Sequence, residues 1–455
     1  MTTPTLTAPA APPAGAPLDT RRFARSVAHQ REAHRLIPGG CHTYARGDDQ
    51  LPEWAPVVVA RGAGCRVWDL DGNAYVEYGM GLRAVTLGHA EPRVVAAAAR
   101  ALQGGACFSR PSAIEREAAE AFLGLVPGAD MVKFCKDGSD ATTAAVRLAR
   151  AATGRDRVAV CADHPFFSSD DWFIGTTPMD AGVPEAVKDL TVRFPYGDAE
   201  ALEALFALHP GEIAAVVLEP ARGDEDAGPY LREVQRLCRA HGAVLVFDEM
   251  ITGFRWHAGG AQTLFGVTPD LACFGKALAN GFSVSALCGR RDLMERGGLR
   301  TEHPRVFLLS ATHGAETHAL AAAVETMRIY RDEDVVGALH RQGRRLRAGV
   351  EAEAAALGLA DHFQVLGRDC NLVFATRDAE GRPSQAFRTL FLQETLTRGV
   401  LAPSFVVSAA HDDAAIDETV EAVGAALRVY RQALDGGVER FLVGRSVKPA
   451  FRRYC

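Results

Sequence analysis

No two of the ten cysteines form a C-x-x-C pair, and none stands at zinc-finger spacing from a histidine. A zinc ribbon or finger is therefore not expected, nor any metal site, and the cysteines read as reduced thiols of a cytoplasmic protein. The opening "MTTPTLTAPAAPPAGAPLDT" lacks the basic n-region and continuous apolar h-region of a signal peptide. No uninterrupted apolar run approaches the length of a membrane span. There is no excess of basic charge: the net charge is -6 and the pI near 6.2. That balance leaves no footprint for nucleic acid or an anionic membrane. No fixed repeat period is found, so the alanine-rich runs are helix composition. What is present is ordinary for a globular protein, with 48% apolar and 23% charged residues. At 455 residues the chain is too long for one simple core, and two lobes are expected. At this level a scaffold or binding module remains open beside an enzyme.

Residues 1–18, rich in Pro, Ala and Thr, are expected to be disordered. "RRFARSVAHQREAHRLIPGG" reads as a helix stopped by Pro38-Gly39-Gly40. "GCRVWDLDGNAYVEYG" reads as a hairpin turning at Asp71-Gly72-Asn73. Further on, "EIAAVVLEP", "YLREVQRLCRAHG" and "AVLVFDEM" give strand, helix and strand, a βαβ unit. Strands apolar on both faces belong to a buried parallel sheet, and "RVAVCAD" and "DLACFG" read the same way. Residues 85–330 are thus expected to form a large α/β domain with helices on both faces of a mostly parallel sheet. Residues 19–84 and 331–455, a hairpin and long amphipathic helices with short strands, are expected to form a smaller α+β domain from both chain ends.

Ligands of open parallel sheets sit beyond the carboxyl ends of the strands. Three polar groups fall there: Glu219 after "AAVVL", Asp248 at the end of "AVLVFD", and Lys276 after "LACFG". A single charged residue after a strand is usually a solvated loop residue, but three on one sheet edge ask for another account. A fourth element is "KFCKDGSDATTAAVRLARAA", where Gly138-Ser139 just precede a helix. A helix start with free N–H groups is a phosphate site, although Ser139 or Asp137 as a simple cap explains the same residues. An amine, a carboxylate and a phosphate cradle together suit pyridoxal 5'-phosphate (PLP). It needs a lysine for its Schiff base, a carboxylate at the pyridine nitrogen and an anion site. The lysine must spend time neutral, which a buried position favours.

At these residues the chain resembles the class III aminotransferases of the fold-type-I PLP enzymes, and within them the glutamate-1-semialdehyde aminomutase branch. "FDEMITGFR" resembles the family's "FDEVxTGFR", "PDLACFGKALANGF" its "PDLxxxGKxxGGG", and "DGSDA" stands where the family has "SGTEA". "IPGG", "WDLDGNAYVEY", "LGH", "LAPS" and "SAAH" extend the likeness over about residues 20 to 430. The resemblance implies Lys276 as Schiff-base lysine and general base, and Asp248 as partner of the ring nitrogen. It implies Gly138 and Ser139 at the phosphate, with Glu219 and Met250 among the cofactor-binding residues. A gapless match back from Asp171 implies Phe166 as the ring stacked on the cofactor. Thr312 in "SATHGAE" matches a threonine that reaches the neighbouring subunit's phosphate, which implies a homodimer with active sites at its interface. Arg46 matches the arginine that holds the substrate carboxylate in the mutase.

The chain also departs from the mutase pattern. "SGNPLAM" is replaced by "HGAETHAL", and a tryptophan by Leu82, followed by an unexpected Arg83. The segment after Asp171 is shorter than the mutase's gating loop. Asp224 stands where many ω-aminotransferases have a glutamate. The tail "ERFLVGRSVKPAFRRYC" has no counterpart. The expected function is transfer of an amino group from a small-molecule donor to a ketone or aldehyde acceptor, such as an oxidised sugar, an aminocyclitol or another specialised metabolite. The alternatives are an isomerase on the same scaffold, either a 2,1-aminomutase or an epimerase, and a non-catalytic protein of the PLP fold. Intact Lys276 and Asp248 speak against the last.

Overall fold

The computed structural model describes residues 20–164, 166–223 and 225–454. The expectation for residues 1–18 and the position of Asp224 lie outside them. The chain divides into two compact units. The smaller comprises residues up to 82, residues 86–90 and residues 337–450; the larger comprises 83–85, 91–336 and 451–455.

The smaller unit begins with the helix Ala24–Leu36, which ends before the Pro38–Gly40 turn as its sequence demands. Strands β1 (Val59–Ala63), β2 (Arg66–Asp69) and β3 (Ala74–Glu77) follow as an antiparallel meander. The β2–β3 turn is built around Asp69, whose carboxylate accepts the N–H groups of Asp71 (3.0 Å) and Asn73 (2.8 Å). Gly72 takes the positive φ of +88° that this turn requires.

The larger unit is organised by a seven-stranded sheet. Its strands are β4 (Met131–Cys135), β5 (Arg157–Cys161), β6 (Thr191–Phe194), β7 (Ile213–Leu218), β8 (Val244–Asp248), β9 (Leu271–Phe274) and β10 (Ser285–Gly289). They lie in the order β4-β10-β9-β8-β7-β5-β6. β10 is antiparallel to both its neighbours and the remaining pairs are parallel. Every residue of β7, β8, β9 and β10 is buried, which is why these strands read as unbroken apolar runs. The helix Gly138–Thr153 packs on this sheet through Ala141, Ala144, Ala145, Leu148 and Ala149, all buried with Val160, Val217 and Val246. Small side chains at i, i+3, i+4 and i+8 make that close seat possible.

The smaller unit is completed by the β11 (Phe363–Leu366) and β12 (Val373–Thr376) pair and by β13 (Val400–Leu401), which adds in parallel to β3. The helix Asp413–Gly436 closes it, capped by Asp412, whose side chain accepts the Ala415 N–H. Among the described residues no helix is long and apolar enough to cross a membrane, no disulfide forms, and no cluster of metal-ligating side chains is present.

Candidate active site

Register along the sheet gathers the three strand-end groups. Leu218 of β7 pairs with Phe247 of β8, so Glu219 follows level with Asp248. Asp248 in turn pairs with Cys273 of β9, and Lys276 emerges just beyond. Gly275 is extended, and Lys276 then takes φ +46°, opening a tight turn over Lys276–Ala279 that closes at Asn280 with φ +44°. A lysine in the left-handed region is strained by the clash of its Cβ with the backbone. Such strain persists where the surrounding structure fixes it, typically at functional sites.

The electrostatics of this edge follow from burial. Asp248 is 2% exposed, and among the described residues its carboxylate accepts one hydrogen bond, from Met250 N at 2.9 Å. Burial raises its pKa to about 6, against the pull of the Met250 N–H and the Lys276 charge. Burial, and then the Asp248 charge, push Glu219 up to about 8. Lys276 is shifted down by desolvation, partly offset by Asp248 and Glu219. Burial thus favours the neutral form of the amine and of both carboxyls.

Gly138 and Met250 join the same edge by contact. A Cβ on Gly138 would stand 3.0 Å from the Met250 sulfur, and one on Gly275 would stand 2.6 Å from it. Glycine at both places lets Met250 fill the space between the lysine turn and the helix start. The helix begins at Gly138 itself, so Gly138-Ser139 form its first turn rather than precede it. Asp137 is the cap, accepting the Asp140 N–H at 3.0 Å. The Gly138 and Ser139 N–H groups have no acceptor within the helix. The Ser139 hydroxyl does not cap; it accepts the Ser169 N–H at 2.9 Å, while Thr142 Oγ1 donates to the Phe167 carbonyl at 2.8 Å. These two bonds tie the loop after β5 to the helix start. Phe166 lies on that loop, 44% exposed, its ring edge-on to Phe173 at 5.8 Å.

Thr312 is exposed, and its carbonyl accepts the Cys107 thiol at 3.4 Å. Arg46 ends the short turn Tyr44–Arg46 of the smaller unit.

The sequence pattern described as Aminotransferase class-III matches residues 44–423. The chain belongs to the class III aminotransferases. The aminotransferase is 35% identical over 436 residues to the glutamate-1-semialdehyde 2,1-aminomutase of Roseiflexus castenholzii, a match covering 91% of this chain and 99% of that protein. Among solved structures it resembles the FumI protein of Sphingopyxis sp. MTA144 in its PLP internal aldimine form. The TM-score is 0.82 at 30% identity, over 91% of this chain and 98% of that one. It also resembles an omega-transaminase from Sphaerobacter thermophilus, with a TM-score of 0.80 at 29% identity, over 90% and 98%. The enzyme has the fold-type-I architecture and depends on PLP.

The residues present fit that cofactor. A carboxylate buried with one accepted hydrogen bond has room for a cationic N–H donor. A helix start with unclaimed N–H groups has room for a phosphate. The aminotransferase also carries residues at this edge that sequence reading left without a role. His164, 4% exposed, accepts the Glu219 N–H on Nδ1 at 3.1 Å, and so fixes the backbone where Glu219 leaves β7. Arg255, fully buried, donates to the Arg83 carbonyl at 3.0 Å. Arg83 itself ends a left-handed turn in which Met80, Gly81, Leu82 and Arg83 have φ of 41, 59, 58 and 73°. Burial and the Arg255 charge lower Arg83 to about 10. Only the unexpected arginine itself signalled this turn in the sequence.

Proposed function

We propose that this enzyme moves an amino group between two molecules, from an amino donor to a separate ketone or aldehyde. The carrying observation is Lys276, strained and desolvated beside Asp248 and Glu219. When bound, PLP supplies a carbonyl that takes up the nitrogen and a ring that withdraws electrons from the substrate carbon. Lys276 anchors that group through its amine and afterwards holds and returns the proton of the substrate carbon, for which its lowered pKa suits it. Asp248 accepts the ring N–H and keeps it protonated. Glu219, whose burial favours the protonated form, offers an O–H there. Gly138 and Ser139 N–H groups receive the phosphate, and Met250 and Phe166 bound the ring. Thr312 serves a partner's phosphate in a homodimer, and Arg46 takes a donor carboxylate through its planar fork.

The second reading is an intramolecular shift of the amino group, favoured by the identity to the Roseiflexus aminomutase over nearly the whole chain. Against it stand Leu82 and Arg83, where the mutase branch has a tryptophan and no arginine. The deciding experiment supplies amino donors, with and without carboxylates, in the presence and absence of carbonyl acceptors, and identifies keto products by mass spectrometry. Stoichiometric loss of a separate donor supports transfer. Isomerisation of one substrate with no donor consumed overturns it.

A further inference from the structure

The tail "ERFLVGRSVKPAFRRYC", which the family resemblance leaves without a counterpart, is held along its length. Within the smaller unit, Gln393 binds both sides of it: its Nε2 donates to the Phe441 carbonyl at 2.9 Å and its Oε1 accepts the Val443 N–H at 3.1 Å. Arg445 N donates to Glu53 at 2.9 Å, Val447 N to the Thr389 hydroxyl at 2.8 Å, and Lys448 N to the Asp49 carbonyl at 3.0 Å. Backbone N–H groups satisfied at this spacing fix an extended segment as a strap rather than a loose end.

Residues 451–454 then belong to the larger unit. There the Phe451 ring lies 6.2 Å from that of Phe166, with the planes 40° apart. Phe451 also walls a cavity with Cys161, His164, Phe173 and Arg193. Phe166 is 44% exposed and meets Phe173 edge-on, so Phe451 gives this half-exposed ring a second aromatic contact. His164 lines the same cavity and binds the Glu219 backbone, so the pocket Phe451 lines adjoins the support of the strand end that carries Glu219.

We propose that Phe451 is a positioning residue: the C-terminal tail brings its ring against Phe166 and holds Phe166 in the orientation in which it faces the cofactor. The inference rests on reading Phe166 as the ring that stacks on PLP. It gives the tail a task in this chain that the family pattern does not contain.

Four variants test it: Phe451→Ala, Phe451→Tyr, Phe166→Ala and the double alanine variant. Each is stripped of cofactor and titrated with PLP, and visible circular dichroism is recorded at saturation. An aromatic pair of this kind corresponds to a weakening of about 3- to 10-fold in apparent Kd for Phe451→Ala. The dichroism of the bound cofactor should fall, Phe451→Tyr should restore both, and the double variant should be no weaker than Phe166→Ala. Should Phe451→Ala fail to fold, Phe451→Leu, which keeps apolar volume without the ring, carries the same comparison. Unchanged affinity and dichroism in Phe451→Ala, with both lost in Phe166→Ala, overturn the role of Phe451 and leave that of Phe166 standing. So does strict additivity in the double variant. If Phe166→Ala changes neither readout, the reading of Phe166 itself fails.

Discussion

In the proposed mechanism Lys276 is a base at one moment and a covalent anchor at another, and both tasks require a neutral amine. Desolvation shifts the Lys276 amine towards the neutral form, and the residue takes a strained φ of +46° at the strand edge that carries Asp248 and Glu219. Lys276→Ala should therefore lower turnover by at least about 10³-fold, within the range of general base catalysis, while the protein folds and still takes up PLP through the phosphate site. Absorbance of the bound cofactor and a transamination assay check this; substantial activity would remove Lys276 from the mechanism. Asp248→Asn should cost about 10²-fold in kcat, as for loss of one preorganised electrostatic group. A kcat near wild type would make Asp248 an ordinary strand-end residue. Glu219 gives a pH signature in the cofactor-free protein. Its folded pKa of about 8 lies above its ordinary 4.5, so between those values the folded state holds a proton that the unfolded state has released. Stability from this group is full below pH 4.5 and is lost as pH rises towards 8. His164, lowered to about 3 by burial, acts in the opposite direction below pH 6.5. The comparison is therefore between wild type and Glu219→Gln: from pH 6.5 to 8 the wild-type melting temperature should fall by more than the variant's. Equal slopes would show that Glu219 ionises normally in the fold. Lys276, Asp248 and Glu219 were legible in sequence because each ends or follows an apolar strand, and strand ends on one sheet edge converge. Arg83 and His164 were not: the first depends on a left-handed turn in which glycine fills one position of four, the second on a backbone contact across a loop.

At the scale of elements, the helix Gly138–Thr153 shows how one residue serves two demands. Asp137 caps it through the Asp140 N–H, and a helix start is stabilised by a nearby negative charge. The same start is the proposed phosphate site, where that charge repels the ligand. Ser keeps the capping oxygen without the charge. Asp137→Ser should thus change the melting temperature little, since substitution among good caps costs well under about 1 kcal/mol. It should tighten PLP binding several-fold, most clearly at low salt, where exposed charges are least screened. Titration of cofactor-free protein at two ionic strengths measures this, and unchanged or weaker binding would place the phosphate elsewhere. The sequence reading put the helix start two residues late because Asp137, Ser139 and Asp140 all suit a cap, and only backbone geometry chooses among them. Strands β7 to β9 were legible for the opposite reason: burial on both faces admits almost nothing but apolar residues.

At the scale of the whole molecule, the surface around Thr312 carries the question of assembly. Thr312 is exposed and joined to Cys107, while the neighbouring Phe108 and Phe307 are 54% and 67% exposed. If Thr312 completes the phosphate site of a second copy, cofactor binding and self-association stabilise each other by the same factor, because linkage is reciprocal. The holo protein should then remain dimeric on dilution to concentrations at which the cofactor-free protein dissociates. Thr312→Ala should bring the two dissociation constants together without affecting the fold. Sedimentation velocity over a dilution series, with cofactor retention followed by absorbance in the same cell, reads both quantities at once. Identical dissociation with and without PLP would separate the interface from the site, and a monomer with full activity would show that each chain holds its cofactor alone.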